Sequence, residues 1–234
     1  MNLISDKLLA VKGQVRQAAE AAGRRPQDIT LIGASKTQSA ATIVEAYAAG
    51  LRHVGENYLD EAIAKQSQFT ADDLVWHFIG RVQSNKTRLI ANHFDWVHTV
   101  DREKIANRLS RHRTGQALNI LIQVNIDADQ AKAGVLPEQA QALVHHASTL
   151  PNLRLRGLMT ILSQTSKPES SYQSVAQLAA RLKATLPTAQ RDAWDTLSMG
   201  MSGDLEAAIA AGATHVRIGT ALFGPRPSRV DAED

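Results

Sequence analysis

The stretch Ile29-Thr-Leu-Ile-Gly-Ala-Ser35, followed directly by Lys36, decides the fold of this protein. A short apolar run of this kind predicts a buried strand, and the lysine stands where that strand ends. A helical apolar pattern precedes the strand within residues 1–25, and a second one follows it over 38–49. A buried strand between two helices is the first unit of a β/α alternation.

The same alternation continues to residue 223. Strands are predicted at 29–35, 51–54, 75–80, 95–100, 118–126, 153–161, 195–199 and 214–218. Helices are predicted between them at 38–49, 56–68, 83–92, 101–113, 137–150, 169–185 and 202–212. Helical crossovers join parallel strands, so we expect a single (β/α)8 TIM-type barrel with an extra N-terminal helix. A doubly wound sheet is the alternative, because its first half shows the same alternation.

Length and composition limit the number of domains and the kinds of functional site that this protein can have. The chain has 234 residues, which predicts one domain over 1–234, with a flexible tail over 225–234. It has no cysteine, which excludes disulfides, thiolate metal sites and a cysteine nucleophile. Basic and acidic residues alternate and the net charge is only +3, so we expect no nucleic-acid surface.

The N-terminal sequence and the lengths of the apolar runs indicate where in the cell the protein is expected. Asp6 and Glu20 lie within the first helical pattern, unlike the basic start and apolar region of a signal peptide. No apolar stretch approaches the roughly 20 residues that a helix needs to span a bilayer. We therefore expect a cytoplasmic protein without membrane contact. The sequence does not report the oligomeric state, and a monomer is the default expectation.

Lys36 is the first candidate functional residue. In a barrel, functional groups gather where strands end, because only that face brings together residues from distant parts of the sequence. Partial burial lowers the pKa of a lysine and favours attack of its amine on a carbonyl carbon. The alternative is a surface lysine beside a misjudged strand boundary.

Two later segments have the composition of anion-binding loops. Ser198-Met-Gly-Met-Ser202 precedes a predicted helix, for which Ser202 is the expected N-cap, and Gly219-Thr220 follows the last predicted strand. Successive backbone N–H groups, a hydroxyl and a helix N-terminus can together hold a phosphate. A barrel often builds such a site from the loops after its last two strands. Taken alone, the first segment is equally an ordinary serine-capped helix after a glycine turn.

Arg217 and His77 also stand near predicted strand ends. Arg217 alternates with two apolar neighbours, so its side chain is expected to point into the barrel mouth, where it could donate to a ring nitrogen. The alternative is an arginine paired with a structural carboxylate. His77 has no HxH or HExxH companion, so we predict a structural histidine and assign no metal.

One amine and two anion-binding loops together predict a phosphorylated aldehyde held as a Schiff base on Lys36. Pyridoxal 5'-phosphate is the leading candidate for that cofactor. Lys86 and Lys132 are possible secondary amines.

At these residues the sequence resembles the pyridoxal phosphate homeostasis proteins, also called YggS-like proteins. The matching motifs are Ala34-Ser-Lys-Thr37, Gly55-Glu-Asn-Tyr58, Trp76-His-Phe-Ile-Gly80 with Gln83-Ser-Asn-Lys86, Arg156-Gly-Leu-Met159, Leu197-Ser-Met-Gly-Met-Ser202 with Asp204, and Val216-Arg-Ile-Gly-Thr220 with Phe223-Gly224. They occur in order along nearly the whole chain. Gly33 and Arg81 are small departures that leave the lysine and both loops intact.

The resemblance implies a barrel like the N-terminal domain of alanine racemase, with Lys36 as the lysine that carries the cofactor. It also implies phosphate contacts from Ser202, Gly219 and Thr220, and Arg217 at the pyridine nitrogen. Further cofactor contacts are implied for Asn57, near the ring, and for His77, Met199 and Met201, which would line the pocket.

The resemblance further implies a carrier or regulator of free pyridoxal phosphate, involved in vitamin B6 homeostasis and in amino-acid and keto-acid balance. No catalytic turnover is implied, so we expect no enzyme, and apoenzymes that require the cofactor are possible partners. Two other functions stay open. One is an amino-acid racemase that uses Lys36 and either Tyr58 or water as its two bases. The other is a cofactor-free Schiff-base aldolase.

Overall fold

Eight parallel strands close into a barrel in the computed structural model, which describes residues 3–225. The strands are Thr30–Ala34 (β1), His53–Glu56 (β2), Val75–Phe78 (β3), Trp96–Val100 (β4), Leu118–Gln123 (β5), Leu153–Met159 (β6), Thr196–Ser198 (β7) and His215–Ile218 (β8). The first strand pairs with the last, Gly33 lying opposite Ile218. This closure confirms the predicted (β/α)8 barrel and excludes a doubly wound sheet, which has two open edges.

Helices follow the strands and form the outer layer. They are Leu3–Ala21 (α1), Ala40–Ala48 (α2), Leu59–Gln68 (α3), Thr87–His93 (α4), Glu103–His112 (α5), Pro137–Ser148 (α6), Pro168–Thr185 (α7), Thr188–Arg191 (α8), Leu205–Ala210 (α9) and Thr220–Phe223 (α10). The first is the extra N-terminal helix, and it packs against α9 and α10 through a buried apolar face that includes Leu8 and Val11. Within residues 3–225, no helix is long and apolar enough to cross a membrane.

Most predicted boundaries shift by one to four residues, and two of these shifts have a specific structural cause. The strand predicted at 51–54 is β2 at His53–Glu56, because Leu51 is buried in a loop and imitates a strand residue. The helix predicted from residue 202 begins at Leu205, and Ser202 is not its N-cap. Residues 202–204 form a turn, in which the Oδ1 atom of Asp204 accepts from the Met201 N–H at 2.6 Å. The tail predicted over 225–234 lies outside the described residues from 226 onward.

The barrel has two separate apolar layers. The larger one lies between strands and helices, and includes Val54, Val97 and Ile120. A small cluster of Trp96, Leu121 and Met159 lies apart from it. These three side chains come from β4, β5 and β6 and occupy the interior of the barrel, because strand residues alternate between the two faces of the sheet.

Candidate functional site

Lys36 lies in a tight turn directly after β1. Its side chain is half-buried, and the next residue, Thr37, has a φ of +66°. A β-branched residue in this left-handed region is uncommon and strained, and such strain concentrates at functional sites. The Thr37 N–H donates to Oε2 of Glu61 at 3.1 Å, which anchors the turn to α3. The turn therefore holds Lys36 at the carboxyl end of the barrel.

A buried ion pair supports the end of β1 from behind. The Nζ atom of Lys65 donates to Oε1 of Glu56 at 2.7 Å and to the Ser35 carbonyl oxygen at 2.9 Å. The Ser35 hydroxyl donates to the same Glu56 oxygen at 2.6 Å. Burial raises the pKa of Glu56, while the hydrogen bond from Lys65 opposes that rise. The network ties β1, β2 and α3 together one residue before Lys36.

Our sequence analysis did not identify Lys65. The buried positions of α3 are Leu59, Ala62 and Lys65, which repeat every third residue along the helix. That spacing places Lys65 on the face that packs against the barrel, where a charged residue is rare unless it has a partner. A lysine at a buried position of this helix pattern could therefore have identified Lys65 from the sequence as a buried lysine with a partner.

The loops after β7 and β8 expose unpaired backbone donors. Among the described residues, nothing accepts a hydrogen bond from the N–H groups of Ser202, Gly203, Gly219 or Thr220. The two loops are joined, since the Arg217 N–H donates to the Gly200 carbonyl oxygen at 3.0 Å. Converging N–H groups of this kind form an anion-binding concavity.

Arg217 lies beneath these loops and is only 5% exposed. Its guanidinium donates to the Ser198 hydroxyl at 2.8 Å and to the Thr160 carbonyl oxygen at 2.9 Å. No carboxylate of residues 3–225 lies within ion-pair distance of it, so the alternative of a structural ion pair is wrong. Burial lowers the pKa of Arg217 to about 10, and the charges of Tyr172 and Asp204 oppose that fall.

A line of hydrogen bonds crosses the barrel interior below Arg217. The Nδ1 atom of His53 lies 3.0 Å from Nε2 of His77, and Nδ1 of His77 lies 2.9 Å from Nε2 of His98. The Nδ1 atom of His98 lies 2.8 Å from the Ser198 hydroxyl. We call His53, His77 and His98 the histidine relay. Burial holds the pKa values of His77 and His98 well below that of a free histidine.

The other predicted residues are distributed as follows. Asn57 follows β2, and its Oδ1 atom is buried without a partner among the described residues. Met201 is 39% exposed in the loop after β7. Met199 is fully buried in the layer between strands and helices, rather than facing that loop. Tyr58 is 56% exposed at the start of α3.

Lys36 and the anion-binding loops lie at the same end of the barrel. A Cβ atom placed on Gly219 would lie 3.4 Å from the carbonyl oxygen of Ala34, two residues before Lys36. Arg217 joins this group through Ser198 at the end of β7. The structure therefore places five predicted residues at one end of the barrel: Lys36, Arg217, Ser202, Gly219 and Thr220. Lys86 pairs with Asp60 at 3.4 Å.

Comparison with known sequences identifies relatives along the full length. The sequence model of the alanine racemase N-terminal domain matches residues 8–227. A pyridoxal phosphate homeostasis protein of Pseudomonas aeruginosa is 52% identical over 230 residues, which cover 97% of each chain. A protein of the same name from Escherichia coli K12 is 46% identical over 234 residues, covering 97% of this chain and 98% of the relative.

Comparison with solved structures also identifies proteins with this fold. PipY of Synechococcus elongatus PCC7942, solved with pyridoxal phosphate bound, is 37% identical with a TM-score of 0.80, covering 94% of this chain and 100% of PipY. Alanine racemase of Corynebacterium glutamicum is 15% identical with a TM-score of 0.67, covering 94% of this chain and 61% of the racemase, and shares the fold alone. The identity to full-length relatives places this chain in the family of pyridoxal phosphate homeostasis proteins, built on the fold of the alanine racemase N-terminal domain.

Proposed function

We propose that this protein binds pyridoxal 5'-phosphate at the carboxyl end of the barrel, covalently through Lys36, and takes part in homeostasis of that cofactor in the cytoplasm. The observation that carries the proposal is the joint placement of three features of residues 3–225: a lysine in a strained turn, four N–H groups that have no acceptor in this range, and a buried arginine that pairs with no carboxylate of this range. Each feature matches one part of the cofactor.

The loops after β7 and β8 match the phosphate group. The N–H groups of Ser202, Gly203, Gly219 and Thr220 lack acceptors within the described part of the chain, and the Ser202 and Thr220 side chains are exposed. Phosphate oxygens accept several such bonds at once. We assign phosphate binding to these residues.

Arg217 matches the pyridine nitrogen. A guanidinium has only donors and keeps its proton, so it can donate to a ring nitrogen but cannot protonate it. The bonds to Ser198 and Thr160 hold this guanidinium in one orientation. An unprotonated ring withdraws electrons weakly, which disfavours reactions that need the ring as a strong electron sink.

When bound, pyridoxal phosphate supplies an aldehyde that a neutral amine can attack, and we assign that amine to Lys36. The strained turn at Thr37 and the buried pair of Lys65 and Glu56 hold the backbone around Lys36 in place. Asn57, His77 and Met201 remain proposed contacts of the cofactor ring, whereas Met199 is buried in the layer between strands and helices and is no longer assigned to it. Delivery to apoenzymes that require the cofactor, by a monomeric carrier, is the use that we propose for the site.

Reductive trapping tests the attachment point. We expect borohydride treatment of the cofactor-loaded protein to abolish its absorbance at the violet edge of the visible spectrum and to attach the reduced cofactor to a peptide that contains Lys36, as identified by mass spectrometry. Lys36→Ala should lose the label, while Lys86→Ala, at an exposed lysine that pairs with Asp60, should keep it. Labelling of Lys86 or Lys132 in place of Lys36 would contradict the assignment.

Isotope exchange tests the absence of turnover. We expect no sustained exchange of the α-hydrogen in deuterated water across a panel of amino acids. Continued exchange that depends on Lys36 would replace the carrier role by that of a racemase.

A further inference from the structure

The histidine relay connects the two ends of the barrel. Its outer member, His53, is the first residue of β2 and is half-buried at the amino-terminal end. Its inner end reaches the Ser198 hydroxyl, which also accepts from Arg217 at 2.8 Å. Each bond between two histidine nitrogens can be donated from either side, so the series has two possible directions.

Arg217 decides that direction. A guanidinium can only donate, so the Ser198 oxygen is the acceptor in this bond and its own hydrogen must go elsewhere. Ser198 is fully buried, and His98 is the other described partner of its hydroxyl. Leaving a buried hydroxyl hydrogen unpaired costs about 1–3 kcal/mol. The Ser198 hydroxyl therefore donates to Nδ1 of His98.

The direction of this first bond fixes the direction of every other hydrogen bond in the histidine relay. A neutral histidine has one donor nitrogen and one acceptor nitrogen, and burial keeps His77 and His98 neutral by holding both pKa values well below the usual range. Since Nδ1 of His98 accepts, its Nε2–H donates to Nδ1 of His77. The Nε2–H of His77 in turn donates to Nδ1 of His53. His53 must carry its own proton on Nε2.

A cavity of about 740 Å³ lies beside His53 at the amino-terminal end of the barrel. Its wall contains apolar side chains of α1, β1 and the loop before β2. Among residues 3–225, the lining also contributes three cationic side chains and no carboxylate. The lining includes Arg16, Leu31, Leu51, Arg52 and His53. We call this space the amino-terminal cavity.

The cationic groups that line the cavity differ in whether they have partners within the protein. Lys12 donates to the Gly50 carbonyl oxygen at 3.1 Å, and Arg52 pairs with Asp73 at 2.7 Å. Arg16 is exposed and has no ion-pair or hydrogen-bond partner among residues 3–225. Nε2 of His53 likewise has no hydrogen-bond partner there, while the Asp95 carboxylate acts on the His53 ring through its charge. An apolar wall with a free guanidinium and a free N–H suits a small molecule that has an aliphatic part and an anionic acceptor.

We propose that the amino-terminal cavity is a second binding site, for a small aliphatic carboxylate whose oxygen accepts from Nε2 of His53 and pairs with Arg16. This site lies outside the proposed cofactor site and does not depend on it, because the protein's own donors and acceptors set the direction of the relay. A carboxylate at His53 stabilises the direction of the relay that Arg217 requires. Binding at the cavity and the Ser198–Arg217 bond therefore favour each other.

Histidine tautomers in the cofactor-free protein give the first test. Long-range ¹H–¹⁵N spectra at pH 7.5 should show His53, His77 and His98 all protonated at Nε2 and unprotonated at Nδ1. The opposite tautomer, or a charged ring, at any of the three would overturn the assigned direction.

Titration with 4-methylpentanoate gives the second test, with 4-methylpentanamide as the neutral compound of the same shape. We expect saturable shifts of the His53 resonances, and about 10-fold tighter binding of the carboxylate, which corresponds to about 1.4 kcal/mol. Arg16→Gln should weaken carboxylate binding about 3-fold, as expected for an exposed charge. Arg181→Gln, at an exposed arginine of α7, is the matched control and should leave binding unchanged.

His53→Phe removes the donor but keeps an aromatic ring, and it should abolish the preference for the carboxylate, as read from backbone amide shifts around the cavity. Equal affinity for acid and amide, or no saturation by either, would overturn the site. So would full carboxylate binding by both His53→Phe and Arg16→Gln. Arg16 is exposed, so its variant keeps the test valid if His53→Phe fails to fold.

Discussion

The Nζ atom of Lys65 lies 2.7 Å from Oε1 of Glu56, in a position where the two side chains are 7% and 0% exposed. In a pair this deeply buried, each charge offsets the free-energy cost of burying the other, because neither side chain could stay charged alone in so apolar a setting. The pair sits one residue behind the turn that carries Lys36. Its integrity therefore bears on both stability and the proposed site.

Lys65→Met should lower the free energy of unfolding by about 3–5 kcal/mol, because it leaves the Glu56 carboxylate buried without its cation. Urea unfolding followed by circular dichroism measures the loss. Lys183→Met, at an exposed lysine of α7, is the control and should change stability by less than about 0.5 kcal/mol. In the double variant with Glu56→Gln, most of the loss should be recovered. A loss that Glu56→Gln fails to reduce would show that the pair is not its cause.

The buried histidines should make the protein sensitive to mild acid. Burial lowers the pKa of His215 to about 3 and holds those of His77 and His98 well below 6.5. Below pH 6.5 the unfolded chain takes up protons on these rings while the folded chain does not, so stability falls as the pH falls. Each ring contributes about 1.4 kcal/mol between pH 7.5 and 5.5, or about 4 kcal/mol for the three.

Urea midpoints at the two pH values check this expectation. His215→Asn should reduce the pH-dependent loss by about one third, whereas His145→Asn, at an exposed histidine of α6, should leave it unchanged. The same loss in His215→Asn as in the parent would mean that this ring is already protonated in the folded state.

Gly80→Ala should distort the end of β2. A Cβ atom on Gly80 would lie 2.0 Å from the backbone oxygen of Asn57, which cannot move without displacing the strand end. We expect a loss of at least about 1–3 kcal/mol in urea unfolding. Gly13→Ala is the control, because a Cβ there meets nothing within 4 Å in a helix interior, and it should stabilise the protein by up to about 1 kcal/mol. Equal stability of the Gly80→Ala variant and the parent would contradict the close approach.

Tyr172→Phe should weaken the proposed phosphate contacts, although Tyr172 is not one of the residues that make them. The Tyr172 hydroxyl donates at 2.7 Å to Oδ2 of Asp204, whose other oxygen holds the Met201 N–H. Loss of this bond should loosen the loop that presents Ser202. We expect about 5-fold weaker binding of pyridoxal phosphate, from about 1 kcal/mol, and unchanged binding of pyridoxal, which has no phosphate. Equal weakening of both compounds would place the effect elsewhere, and Tyr58→Phe, at an exposed tyrosine, should alter neither affinity.

The sequence predicted most of the architecture because the relevant signals are local. Apolar runs such as Thr30–Ala34 are short and flanked by helical patterns, so each strand could be located within a few residues. The error at β2 arose where Leu51 is buried in a loop, and the error at Ser202 arose where the Asp204 carboxylate holds the turn ahead of α9. In both cases a contact outside the local pattern decides the boundary.

The sequence by itself determined the β/α alternation, the lysine at the end of the first strand and the two glycine-containing loops, because periodicity and residue type act over neighbouring positions. Only the tertiary structure decided that Lys65 faces Glu56, that Arg217 has Ser198 and not a carboxylate as its partner, and that His53, His77 and His98 form one series. Lys65 and Glu56 meet where α3 packs against β2. The contact of Arg217 with Ser198 and the series of three histidines exist because closure of the barrel between β1 and β8 brings inward-facing residues of different strands into one shared interior.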